Sequence, residues 1–236
     1  MKIKTSIIIF ILLLSAQKGF SQYGFFDKNP LLNHENWDKQ RLHYGFFIGM
    51  NMMDFKIDYI NPQAKEIEVS EGLGFNVGII GNLRIFEHVD LRFEPGFYYA
   101  QRNLTFPGFE DRYKAFRETN ASYLHFPLLL KFSSKRIGNF RPYLVAGGSY
   151  TYNLASNSKV LDDLSNNTFR VDPTFTSLEL GFGVDFYLPY FKFSPSIRGV
   201  FSGKDELIRD KDPLSAYTSN VLGMSTRAIL INFTFH

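Results

Sequence analysis

The chain of 236 residues has no cysteine. That excludes thiol catalysis, a thiolate metal site, a disulfide framework and a lipid-bearing N-terminal cysteine. It also lacks any apolar run long enough for a transmembrane helix, which needs about 20 residues. The longest, Ile7–Leu14, is far shorter. Charge excess is missing too. Lys2, Lys4 and Lys18 account for the whole surplus of 26 basic over 23 acidic residues, and all three lie before residue 22. Without them nothing electropositive remains to attract nucleic acid, and no nucleic-acid partner is expected. A single Trp stands against 26 Phe and 13 Tyr, a bias towards aromatic strand formers.

The N-terminus carries an address. Two lysines, the apolar run, and then Gly19, Ser21 and Gln22 follow the order of a secretory signal peptide, with cleavage expected after Ser21. Residues 22–42 do not alternate; they contain Asn29-Pro30, Asn33 and Trp37, and read as a periplasmic leader, either folded under the following domain or a disordered lead-in. Residues 43–236 remain for one all-β domain.

That domain alternates with period two. In 73–85 the odd positions are Leu73, Phe75, Val77, Ile79, Gly81, Leu83 and Ile85, while the even ones include Gly74, Asn76, Asn82 and Arg84. In 89–101 Val89, Leu91, Phe93, Phe97 and Tyr99 oppose Asp90, Arg92, Glu94 and Gly96; in 177–188 Leu178, Leu180, Phe182 and Val184 oppose Glu179, Gly181, Gly183 and Asp185. Such runs are strands with one apolar and one polar face. Weaker versions at about 43–55, 122–132, 140–153, 190–202 and 222–236 bring the number to eight, each long enough to cross a bilayer when tilted.

The connections alternate between long (56–72, 102–121, 154–176, 203–221) and short (86–88, 133–139, 189–190), as in outer-membrane barrels. The expectation is an all-β, eight-stranded antiparallel transmembrane up-and-down β-barrel, with short periplasmic turns and long outer loops, embedded in outer-membrane lipid. Its tight turns should set Tyr187 opposite Lys192, Arg84 opposite Asp90 and Ile85 opposite Val89. The glycine-rich charged face belongs inside an interior just wide enough for side chains, and the Leu/Ile/Val/Phe face towards lipid. A soluble barrel would reverse this and expose apolar stripes to water. Tyr44, Phe86, Phe132, Phe140, Phe186, Tyr190, Tyr150 and Tyr152 near strand ends suit two interfacial girdles.

The candidate lumen residues are Arg84, Asp90, Arg92, Glu94, His125, Lys131, Glu179, Asp185, Lys192 and Arg198. Both signs are present, and adjacent strands put opposite charges within reach. An ion-paired structural plug is expected in preference to a proton or ion path. His34 precedes the barrel, His43 begins a strand, His88 lies in a turn, His125 is interior and His236 is terminal. Their spacing fits no metal site, and neither Gly-x-Ser-x-Gly nor a phosphate loop occurs, so no catalytic residue, metal or cofactor is expected and the protein reads as a non-enzyme. Partner recognition would fall to the long loops. Loop 102–121 mixes Phe106, Phe109, Tyr113 and Phe116 with Arg102, Arg112, Lys114 and Arg117; loop 203–221 carries Lys204, Asp205, Glu206, Arg209, Asp210, Lys211 and Asp212.

Tyr123–Phe132 (YLHFPLLLKF) and Arg141–Gly147 (RPYLVAG) together resemble the outer-membrane barrel family named after PorT, found in Bacteroidetes-type bacteria. Asn36–Gly49 (NWDKQRLHYGFFIG) and Met53–Tyr59 (MDFKIDY) resemble the PorT proper (SprT) subgroup, and are the more specific part. The resemblance covers essentially the chain after Ser21. It implies a part in the type IX secretion system, which carries proteins from periplasm to cell surface and is tied to gliding motility in some species, with other secretion-system proteins as partners. It carries over no catalytic residues. The runner-up reading is a surface-interaction or adhesion barrel, followed by a narrow channel or lipid enzyme.

Overall fold

Alternation of β-branched and aromatic residues with small and polar ones puts most of the described residues into strands. The computed structural model describes residues 32–61, 67–107, 115–156, 170–209 and 218–236, apart from the Glu118 side chain. The expected signal peptide, residues 1–21, lies outside them, as do loop residues Phe109, Arg112, Tyr113, Lys114, Asp210, Lys211 and Asp212. A 3-10 turn, Trp37–Lys39, precedes β1 (Leu42–Tyr59), β2 (Glu68–Glu71), β3 (Leu73–Phe86), β4 (Val89–Phe93), β5 (Gly96–Thr105), β6 (Phe116–Ser133), β7 (Phe140–Asn153), β8 (Thr174–Tyr187), β9 (Lys192–Ser202) and β10 (Val221–Phe235).

These ten segments make eight staves. β2 and β3 are one stave interrupted at Gly72, and β4 and β5 are one interrupted at Glu94-Pro95, where proline offers the ladder no N–H. Pairing between the two staves runs from Glu68↔Thr105 to Phe86↔Val89. All pairs are antiparallel between sequence neighbours, and β1 pairs with both β3 and β10. The sheet is a closed barrel without edges, so every backbone group can be satisfied within lipid.

Tyr187↔Lys192 and Arg84↔Asp90 pair as expected. Ile85 does not meet Val89; a bulge shifts the register, and Phe86 takes that place. Segment 102–121 is not one long loop, because strands run out to Thr105 and back in from Phe116.

The faces locate the membrane. Outward positions on β1 are apolar from Leu42 to Met52, about 11 residues, the length of a tilted crossing. They then turn polar at Asp54. The same change comes at Glu71, Gln101, Ser122, Thr176 and Arg227 on five other staves, and Asp54 pairs with Arg227 across the ladder. This ring marks the outer water boundary. Exposed Tyr150 and Tyr152 lie near it; exposed Tyr44, Phe86, Phe132 and Tyr190 ring the periplasmic edge.

Beyond the ring the strands continue and the polarity of the faces inverts. Lys56 and Asp58 now face water, while Phe55, Leu104, Phe106, Val171, Leu207 and Met224 form a buried apolar cluster inside. Below the ring lipid demands the apolar face outside, and above it water demands the reverse, with no change in strand register.

Candidate functional site in the barrel lumen

Inward positions from β4 to β9 carry the charges, and glycines give them room. A Cβ on Gly183 would lie 2.5 Å from Tyr143 Cζ, and one on Gly181 would overlap the Arg198 stem. Only hydrogen at these positions lets the ring and the guanidinium cross the narrow interior.

Two linked clusters fill the membrane section. Towards the periplasm, the Asp185 carboxylate accepts from Lys131 Nζ at 2.6 Å and from Ser194 Oγ at 2.6 Å, with Lys192 Nζ at 3.6 Å. The Lys131 ammonium also lies 4.0 Å from the Tyr143 ring centre. Further out, Glu94 sits between Arg92 Nη1 at 3.1 Å and Arg198 Nη2 at 2.8 Å. Arg198 Nη1 reaches Glu179 at 3.4 Å, and Glu179 meets His125 Nε2 at 2.8 Å. The eight residues joined by these ion pairs, Arg92, Glu94, His125, Lys131, Glu179, Asp185, Lys192 and Arg198, are all at least nine-tenths buried. Four cations, Arg92, Lys131, Lys192 and Arg198, face the three carboxylates of Glu94, Glu179 and Asp185, and each carboxylate touches more than one partner. Enclosure this complete requires such matching.

Two pairs follow adjacent strands as expected, Lys192–Asp185 and Arg198–Glu179 between β9 and β8, while others reach further. Lys131 on β6 reaches Asp185 on β8 past β7, and Arg198 on β9 crosses to Glu94 at the β4–β5 break. Two candidates fall outside the network. Arg84 is half-exposed at the periplasmic rim and donates to the Glu87 carbonyl, and Asp90, opposite it, is half-buried there. Their two staves end at that turn, so their side chains reach the rim and not the interior.

His125 also bonds Thr151 through Nδ1 at 2.8 Å, which lines up a hydroxyl, an imidazole and the Glu179 carboxylate. The neighbouring void, bounded by Tyr98, Tyr123, Phe175 and Leu230 among others, holds only about 10 Å³. That is space for a single water and no substrate.

Outside the water boundary, Arg102 lies 3.7 Å from the Phe55 ring centre and bonds Thr226 Oγ1 at 3.2 Å and the Tyr123 hydroxyl. Glu206, reaching in from the segment after β9, accepts from the Thr226 N–H at 2.9 Å and its hydroxyl at 2.7 Å. Burial pushes the Glu206 carboxyl up from its ordinary value. Burial also opposes ionisation of exposed Asp205, yet the N–H groups of Met224 and Leu207 and the Arg209 guanidinium hold its carboxyl below the usual range. Phe106, Arg102 and Arg117 are therefore not a loop surface: all three are buried.

At the other end, residues 33–38 lie under the barrel mouth, where Asp38 contacts Arg141 at 3.2 Å and the Tyr187 hydroxyl at 2.7 Å, and Trp37 stacks on His43. Sequence reasoning missed Arg102, Arg117, Arg141 and Glu206. For Arg141 the signal existed, since it shares its strand face with Tyr143 and Val145.

A lumen packed with paired charges inside eight lipid-facing staves is the architecture of small outer-membrane proteins. The outer membrane protein beta-barrel domain family matches residues 20–203. The chain belongs to that family. No curated relative matches it. Among solved structures it is similar to OprG from Pseudomonas aeruginosa, with a TM-score of 0.50 and 15% identity over 83% of this chain and 94% of that one. Neisserial surface protein A (NspA) gives a TM-score of 0.45 at 14% identity over 83% and 98%. Ail of Yersinia pestis gives 0.40 at 12% identity over 83% and 98%. At these identities the OprG likeness is one of fold, and with the family match it makes the chain an outer-membrane β-barrel.

Proposed function

We propose that this barrel is a component of the type IX secretion system of the PorT (SprT) kind, serving gliding motility where that occurs, and that it docks other secretion proteins rather than conducting. Residues 1–21 direct export and are removed. The partners are other secretion-system subunits, met through the periplasmic leader or the outer segments. A non-enzymatic role is part of this reading, and the small void of about 10 Å³ beside the Thr151–His125–Glu179 line supports it.

The observation that carries this reading is the closed lumen together with the place of Asn36–Tyr59. That stretch bears the specific resemblance, and it forms the mouth and first stave. A filled interior leaves no path for a protein, which favours an accessory role. The adhesion and narrow-channel alternatives have no comparable residue-level support.

The test is deletion of the gene. Secreted client proteins should accumulate inside the cell and vanish together from the surface while general outer-membrane integrity holds. Protein recovered from a complemented strain should have a mass fitting a chain that starts at Gln22. Normal arrival of clients in the deletion strain would end the secretion reading and favour a surface-interaction barrel.

A further inference from the structure

The segment ahead of β1 is gripped by a small set of barrel residues. Arg136, in the β6–β7 turn, stacks 3.8 Å from the Tyr187 ring centre and donates to the carbonyls of Asn33 and His34. Asn139 Oδ1 accepts the Asn33 N–H at 2.9 Å, and the Tyr187 carbonyl accepts the Asn33 side-chain amide at 2.9 Å. Five residues on, the Asp38 carboxylate accepts from the Tyr187 hydroxyl and from Arg141 Nη1. Arg141 is held in place independently, because it also donates to the carbonyls of Ser134 and Glu87. Arg136, Asn139, Arg141 and Tyr187 thus form a preorganised receptor for a turn-forming segment that bears an amide and, five places later, a carboxylate.

The segment occupies this receptor under strain. His34 has φ 51°, in the left-handed region that non-glycine residues rarely adopt. Trp37 Nε1 and His34 Nε2 are buried without a hydrogen-bond partner among the described residues, and the turn Trp37–Lys39 contains no fully buried residue. Orphaned polar atoms and a strained backbone fit an occupant better than a finished part of the core. If the segment leaves, Arg141 and the Tyr187 hydroxyl lose their carboxylate beside the Lys192 ammonium, whose nearest acid, Asp185, is already engaged by Lys131 and Ser194. The emptied mouth selects for negative charge.

We propose that the periplasmic mouth is a binding site for an acidic, turn-forming segment of a partner protein, and that residues 33–38 hold it in cis until the partner displaces them. This concerns the barrel alone and does not rest on the secretion reading. Displacement leaves the lumen closed, since the Lys131–Asp185 and Arg198–Glu94 pairs lie deeper.

Trp37 is the only tryptophan in the chain, so its emission reports the segment directly. The full-length protein in lipid nanodiscs would be titrated with a peptide of residues 32–41 carrying Trp37→Phe, and with the same peptide also carrying Asp38→Asn. Acrylamide quenching of Trp37 is the readout. A tethered segment competes at an effective concentration on the order of millimolar, so half-displacement of the natural segment should need about millimolar peptide. In the Asp38→Asn protein the peptide that keeps Asp38 should succeed at about tenfold lower concentration, the loss expected for one charge-assisted bond. The Asn peptide should be about tenfold weaker than the Asp38 peptide against either protein. Tyr187→Phe, which keeps the ring under Arg136, and Arg141→Gln should each narrow that difference. Equal potency of the two peptides, or no change in quenching at several millimolar in either protein, would overturn the proposal and make the segment a fixed part of the barrel.

Discussion

At the scale of single residues, Asp185 shows how the interior is held. Its carboxylate is the only acid within salt-bridge distance of both Lys131 and Lys192 among the described residues, and all three are buried. Asp185→Asn keeps the shape and strands two ammonium groups in an enclosed space. Breaking a buried pair in this way should cost about 3–5 kcal/mol in a reversible refolding titration. Adding Lys131→Met should recover a large part of that loss, because the orphaned charge goes with it. A single substitution tolerated within about 0.5 kcal/mol would mean that water reaches the site and that the lumen is not closed there.

At the scale of the strand, side-chain direction stays constant while its meaning changes at the ring of Asp54, Glu71, Gln101, Ser122, Thr176 and Arg227. Leu180 is exposed to lipid inside the band, and Asp58 is exposed to water above it. Leu180→Arg should therefore cost about 2–4 kcal/mol, and Asp58→Arg close to nothing, in the same lipid refolding assay. Equal tolerance would contradict the membrane placement. This inversion also explains what the sequence left hidden. The strands were legible wherever an apolar face meets lipid, so the eight staves, their faces and the Tyr187–Lys192 turn could be read directly. Above the ring the apolar residues change sides. Leu104 and Phe106 then follow Tyr99 out of phase, and the alternation appears to stop, which hid the outer halves of the hairpin and left Arg102 and Arg117 looking like loop cations. Interior charges such as Lys131, Glu179 and Arg198 were legible from their shared face, and pairing between adjacent strands holds for Arg198–Glu179, but the longer reaches, Lys131 to Asp185 and Arg198 to Glu94, were not legible. Pairs that cross the lumen depend on closure of the sheet, which no local pattern encodes. Asp38 and Glu206 were invisible for a similar reason, since each comes from outside the strands to seal one end.

At the scale of the molecule, the barrel is closed at three levels. Asp38 and Trp37 cover the periplasmic mouth, the eight buried residues of the paired network fill the membrane section, and the cluster around Phe55, Phe106 and Leu207 caps the outer end. Closure by ion pairs and packing, rather than by one mobile segment, is what would separate the proposed docking role from a gated pore. Conductance across a planar bilayer, measured on the purified full-length protein and on a form carrying Asp38→Asn, tests this most directly. Both should show no steady conductance, because loosening the mouth leaves the Asp185 and Glu94 clusters in place. A stable, wide pore in either protein would contradict a filled lumen and turn the Glu179, Asp185 and Lys192 group into the lining of a conduit.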